Sequence, residues 1–247
     1  MSDPASTFVG MGSTDLSSKV IDLRARGLTP KQIAKTLGVR RADVEPLVRA
    51  YAQSVSPAAE LRLVGCWVSP AWSSGLRWEG HREWRDELAD DEDDGDVLPQ
   101  IASVLVAREN RYGKVSACGY LVDTHCLGVK DAIGPRSMDR AELREFVRQF
   151  FRGYDEEPQA APLELVQDLV LGAVDYARRL GFEPHPDFEA CRGHLGSWVG
   201  PSAVEFGYRG EPYFIEGPHD DADRILRTLE RSVGRGNFKF VILGHVS

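Results

Sequence analysis

The sequence predicts an α+β protein in two parts: a small N-terminal three-helix (helix-turn-helix) domain, then a larger α+β domain with an antiparallel or mixed sheet. Three observations carry this. Residues 16–54 combine helical apolar spacing with closely set start and stop signals. Beyond residue 60, strand-like runs arrive mostly in pairs joined by short turns, and the longer helical patterns are grouped rather than alternating with strands. The expected organisation is a disordered N-terminus at 1–14, a helix-turn-helix domain at 15–54, a linker at 55–60 and an α+β domain at 61–247 with an acidic loop at 86–96.

In the head, Val20, Ile21 and Leu23 give a first helix its buried side. Thr29, Pro30 and Gln32 then form a capping box with proline at the first helical position. Ile33, Ala34 and Leu37 share one face, and Gly38 supplies the positive φ that stops this short helix and turns the chain. Val39, Val44, Leu47 and Val48 continue the apolar pattern into a third helix. Such a bundle offers its last helix to a DNA groove.

Charge divides along the same line. Residues 15–54 carry eight Lys/Arg against four acids, a net +4, whereas the whole chain is −8 and residues 55–247 carry −11. A basic module on an acidic body meets a polyanion by one face, because the body repels phosphates. Residues 1–14 are small and polar, so no secretory signal is expected, and nothing approaches the roughly 18 consecutive apolar residues of a membrane span. Cys66, Cys118, Cys126 and Cys191 are scattered without a C-x-x-C spacing and read as reduced, buried thiols. The expected setting is cytoplasmic.

In the body, Leu61–Val68 is the first expected strand. Trp67, Trp72, Trp78 and Trp84 follow neither a strand nor a helix period and are expected in the core or a lid; an exposed partner-binding patch is the other reading. Eight acids in the eleven residues 86–96 read as a solvated loop. Ile101–Ala107 and Val115–Val122 form a hairpin around Arg111–Lys114, and a further turn and strand run through Leu127–Asp131. Helices are expected at Asp139–Phe151, Pro162–Leu180 and Asp220–Val233, with a short helical piece at Phe188–Leu195 after the Pro-locked loop Phe182–Phe188. The second of them is apolar over a broad face and should lie across a sheet, stopped by Gly181. Val204–Tyr208 and Tyr213–Glu216 read as a second hairpin turned by Arg209–Glu211, and Phe238–Leu243 as the final strand.

Three polar constellations stand out. Asp123 and His125 would share one face of a continuing strand, with Cys126 on the other and Asp131 five residues on. His185-Pro186-Asp187 and His219-Asp220-Asp221 each begin beside a proline, and the second stands where a helix wants a capping Asp. Convergence of Asp123, His125, His185, Asp187, His219 and Asp221 would suit a hard divalent metal and hydrolytic chemistry. No Walker loop, G-x-G-x-x-G, G-x-S-x-G or H-E-x-x-H is present, so the sequence assigns no catalytic residue, no metal ligand and no cofactor.

Gly27, Thr29, Ile33, Ala34, Leu37, Gly38, Val39 and Val44 match the pattern Gly-hydrophobic-Ser/Thr-x-x-x-Ile-Ala-x-x-Leu-Gly-Val-Ser-x-x-x-Val. Over about 40 residues the head thus resembles the helix-turn-helix of bacterial transcriptional regulators and resolvases. The resemblance implies that Arg40, Arg41, Ala42 and Glu45 lie at the start and exposed face of a recognition helix. Arg40 replaces the usual Ser/Thr cap, and Pro46 stands inside the helix, where it removes one backbone hydrogen bond. The body resembles uncharacterised bacterial proteins with similar Leu-Gly-Val-Lys-Asp and Gly-Phe-x-Pro-His-x-Asp-Phe runs, a likeness that implies no activity.

The function expected from these readings is DNA binding, regulatory in kind, with Lys31, Lys35, Arg40, Arg41 and Arg49 contacting phosphates and the body sensing a ligand or mediating self-association. Dimerisation is expected because one bundle spans few base pairs. The alternatives are a protein-interaction module using the bundle and the tryptophan segment, and a metal-dependent hydrolase with its site in the body.

Overall fold

The computed structural model describes residues 16, 19–20, 23, 30–54, 61–81, 83–84, 100–110 and 112–242, and of 48–54 the backbone alone. The expectations for residues 1–14, the Thr29 cap, the linker 55–60 and the acidic loop 86–96 lie outside the described residues. Chain contacts divide the protein into two compact units, Met1–Pro57 and Ala58–Ser247.

In the first unit, α1 (Pro30–Leu37) and α2 (Arg41–Ser54) are joined at Gly38, whose φ is +67°. An L-residue pays a steric penalty in that region, so glycine sets the turn. Leu16, Lys19, Val20 and Leu23 are also helical. Val20, Ile33, Ala34 and Val44 are buried together, with Leu16, Leu23, Leu37, Val39 and Leu47 packed around them. All but Leu16 are apolar positions that the spacing singles out. Helix α2 runs through Pro46. The carbonyl left without a donor belongs to Ala42, which is exposed and open to water.

The second unit is α+β. Its five-stranded antiparallel sheet has the order β5-β4-β3-β1-β6, with β1 at Arg62–Val68, β3 at Ile101–Glu109, β4 at Val115–Asp123, β5 at Gly128–Met138 and β6 at Gln159–Ala160. The short β2 (Arg77–Trp78) stands apart from it. Strand β3 is central and buried on both faces, which is why its sequence is a continuous apolar run. Val104 and Val106 face a core shared with α4 (Leu163–Leu180), while Leu105 and Ala107 face a smaller one shared with α3 (Arg140–Phe150).

Both helices are bounded as the sequence signals. Asp139 accepts from the N–H groups of Ala141 and Glu142, and Glu142 returns a bond to the Asp139 N–H, completing a capping box. Pro162 precedes α4, and Gly181 ends it in the left-handed region. Gly128 lets α4 close on the sheet: a Cβ there would lie 2.8 Å from the Ala177 Cβ and 2.9 Å from the Ala173 carbonyl. Trp72 and Trp84 are buried in the larger core, and Trp67 packs on the smaller one.

The second expected hairpin does not form. Strand β7 (Val204–Glu205) pairs antiparallel with β2, and β8 (Tyr213–Ile215) pairs parallel with β9 (Lys239–Val241). Tyr208 and Glu211 make a single bridge. Pro212 has no N–H to extend a ladder. The neighbouring donors go elsewhere, Gly207 to the Thr124 carbonyl and Tyr213 to the His125 carbonyl. The remaining elements are α5 (Phe188–Cys191), a 3-10 turn at Arg192–Leu195 and α6 (Ala222–Ser232).

Candidate functional site

Four of the five expected phosphate-contacting residues have described side chains, and Lys31, Lys35, Arg40 and Arg41 are all exposed. The side chain of Arg49 lies outside the described residues. The two arginines are engaged by acids of α2. Arg40 donates to both oxygens of Asp43 at 2.9 and 2.8 Å, and Arg41 donates to Glu45 at 2.6 Å. The hydrogen bond from Arg40 holds the Asp43 carboxyl below its ordinary range. Exposed pairs of this kind contribute little to stability and are screened by salt. The described part of the unit therefore exposes two lysines on α1 and two arginines after the turn, the arginines partly neutralised by Asp43 and Glu45.

In the second unit, β4 ends at Asp123 and residues 124–127 form a turn, not a continuing strand. Asp123 Oδ1 accepts the backbone N–H groups of His125 and Cys126 at 3.0 and 2.9 Å. Its other oxygen is buried without a hydrogen-bond partner. Burial is the main cause that pushes this carboxyl up to about 6, against the opposing influence of the Lys130 charge and the backbone donors. The His125 ring does not meet Asp123. Its Nε2 lies 2.8 Å from the Ser74 carbonyl, which requires the proton on that nitrogen. The ring packs against both Tyr208 and Tyr213, and burial lowers its pKa. Burial likewise raises the Cys126 thiol, so the thiolate a nucleophile needs is disfavoured. These residues pin the Tyr208–Tyr213 segment to the sheet.

The six-residue convergence is not observed. His219 is exposed, Asp221 caps α6 by accepting from the Arg224 N–H at 3.0 Å, and Asp220 pairs with Lys130. Among the described residues, the three side chains whose ligand atoms come within 4.8 Å of one another are Asp131, His185 and Asp187. The His185 N–H donates to the Val129 carbonyl on the outer strand β5 at 2.9 Å, which brings the Pro-locked loop against Asp131. His185 Nδ1 is 3.7 Å from Asp131 and 3.8 Å from Asp187. The sequence shows His185 and Asp187 together but not their partner on β5.

Two further polar centres escape sequence reading because their partners are distant in the chain. Glu109, at the end of β3, takes two bonds from Arg140 at 2.8 Å each and another from Arg62. These bonds, Arg140's first, hold its carboxyl down at about 2. Arg108, 5% exposed, donates to the carbonyls of His194 and Leu61. His194 in turn meets the Ser116 hydroxyl at 2.9 Å. The one sequence signal is a charged pair ending an apolar strand. No helix among the described residues is long and apolar enough to cross a membrane. The chain matches no family model, no curated protein and no solved structure.

Proposed function

We propose that the protein is a cytoplasmic, DNA-binding regulatory protein whose N-terminal unit contacts the phosphate backbone through a helix-turn-helix. One observation carries this reading: α1 and α2 turn sharply at Gly38 around a buried Val20–Ile33–Ala34–Val44 cluster, and Lys31, Lys35, Arg40 and Arg41 stay outside. Apolar residues inside and cations around the turn are what a helix-turn-helix needs to approach DNA. Asp43 and Glu45 shape the kind of contact. They occupy the two arginines in the free protein, so phosphate must displace them, which favours a backbone grip over base reading. In this account the acidic second unit senses a ligand or mediates self-association.

The test is a fluorescence-anisotropy titration of a labelled duplex with the full chain. Binding that weakens about tenfold or more in Lys31→Ala/Lys35→Ala, with the far-UV circular dichroism unchanged, supports the reading. Equal affinity of variant and parent overturns it.

A further inference from the structure

We infer that Asp131, His185 and Asp187 form a binding site for a divalent transition-metal ion of the zinc class, a site independent of the DNA-binding reading. One imidazole nitrogen and two carboxylate oxygens, all within 4.8 Å of one another, are a donor set suited to such an ion. The same spacing suits an ion pair when His185 is protonated and a shared cation when the ring is neutral. His185 Nδ1 stands 3.7 and 3.8 Å from the two carboxylates, beyond hydrogen-bonding reach of either. Bonds of about 2.0–2.2 Å to one tetrahedral ion place neighbouring donor atoms on the order of 3.4 Å apart, so His185 need approach each carboxylate by only a few tenths of an ångström, while the two carboxylates, within 4.8 Å of each other, close by up to about 1.4 Å.

The ordinary structural uses of these side chains do not account for them. Asp187 occupies the N-cap position of α5, yet its carboxylate makes no capping bond. Asp131 accepts the N–H of its own neighbour, Ala132, at 2.8 Å. The Asp187 N–H points to His185 Nδ1 at 3.4 Å, a long contact to the same single lone pair that a metal ion would take, so binding displaces it. The loop is held from both sides, by the His185 N–H on the Val129 carbonyl and by the Phe188 N–H on the His185 carbonyl, each at 2.9 Å. A site on such a frame loses little entropy when it closes. All three side chains reach solvent, leaving the ion's other positions open to water or an anionic ligand.

The test uses the full chain stripped with chelator. Cobalt(II) is titrated while its visible d–d absorption is followed, and zinc(II) is titrated by calorimetry. The expected result is saturation at one equivalent with a four- or five-coordinate cobalt spectrum. His185→Ala and, separately, Asp187→Asn should each weaken that uptake at least about tenfold, since changes even to groups behind metal ligands commonly cost as much. Both positions are exposed, so the variants should keep the parent's circular dichroism. Absence of a saturable equivalent overturns the inference. So does saturable uptake that both variants retain, which would place the ion elsewhere, for instance on the acidic run 86–96.

Discussion

Lys130 Nζ donates to Asp220 Oδ2 at 2.7 Å, tying β5 to the loop that leads into α6. The same oxygen accepts the Gly217 N–H at 2.8 Å, and both side chains are largely buried. Removing Asp220 would leave the ammonium and the amide without their acceptor. Asp220→Ala is expected to lower stability by about 2 kcal/mol in urea denaturation. Asp220→Asn, which keeps an acceptor oxygen, should cost less than Asp220→Ala. Equal losses for the two variants would assign the effect to packing.

Asp123 should impose a pH dependence on the fold. Its buried carboxyl titrates at about 6, against an ordinary value of 3.8 in the unfolded chain. Between those values the folded state holds more protons, so this group favours folding most at low pH and its contribution falls as pH rises through that window. Ionisation at pH 7 costs on the order of 3 kcal/mol relative to a solvated carboxylate. In Asp123→Asn, the amide oxygen can still accept from His125 and Cys126, and urea midpoints between pH 4 and pH 7 should show this part of the dependence removed. A parent-like slope in the variant would exclude Asp123 as its source.

Glu109 acts with the opposite sign. Its folded value of about 2 lies below the ordinary 4.5, so its stabilising share is complete above 4.5 and lost as pH falls toward 2. Glu109→Gln should unfold at a higher pH than the parent during acid titration, and should be less stable at neutral pH. Unchanged acid unfolding would mean that Arg62 and Arg140 do not hold this carboxylate in solution.

Gly38 should be sensitive to substitution. Among the described residues a Cβ there meets no atom within 4 Å, so the penalty of Gly38→Ala is assigned to its φ of +67°. A loss of about 1 kcal/mol is expected. Gly38→Asn should lose less, since Asn enters this region more readily. Amide hydrogen exchange in α1 and α2 reads both.

What was legible in the sequence was local. Asp139, Pro162 and Gly181 announced helix ends because caps act within a few residues, while the return bond from Glu142 came only with the structure. Strands β3 and β4 were legible because burial leaves a continuous apolar run. The pairings of β2 with β7 and of β8 with β9 were not, since two- and three-residue ladders leave no periodicity to read. Val204–Tyr208 and Tyr213–Glu216 looked like a hairpin because Arg209-Gly210 is a turn, but the donors beside it answer to Thr124 and His125. The same limit governs the sites. His185 and Asp187 are visible as neighbours, while Asp131 reaches them only through the backbone bond between His185 and Val129. Glu109 gives no hint of Arg62 or Arg140, which only the fold brings to it.

The most direct test of the central claim is the salt dependence of duplex binding by the full chain and by Arg40→Ala/Arg41→Ala. The parent's log affinity should fall steeply with log salt, at close to one unit of slope for each phosphate contacted, and the double variant should show a slope shallower by about 2 with weaker binding at low salt. Identical slopes for parent and variant, or an affinity indifferent to salt, would contradict the account.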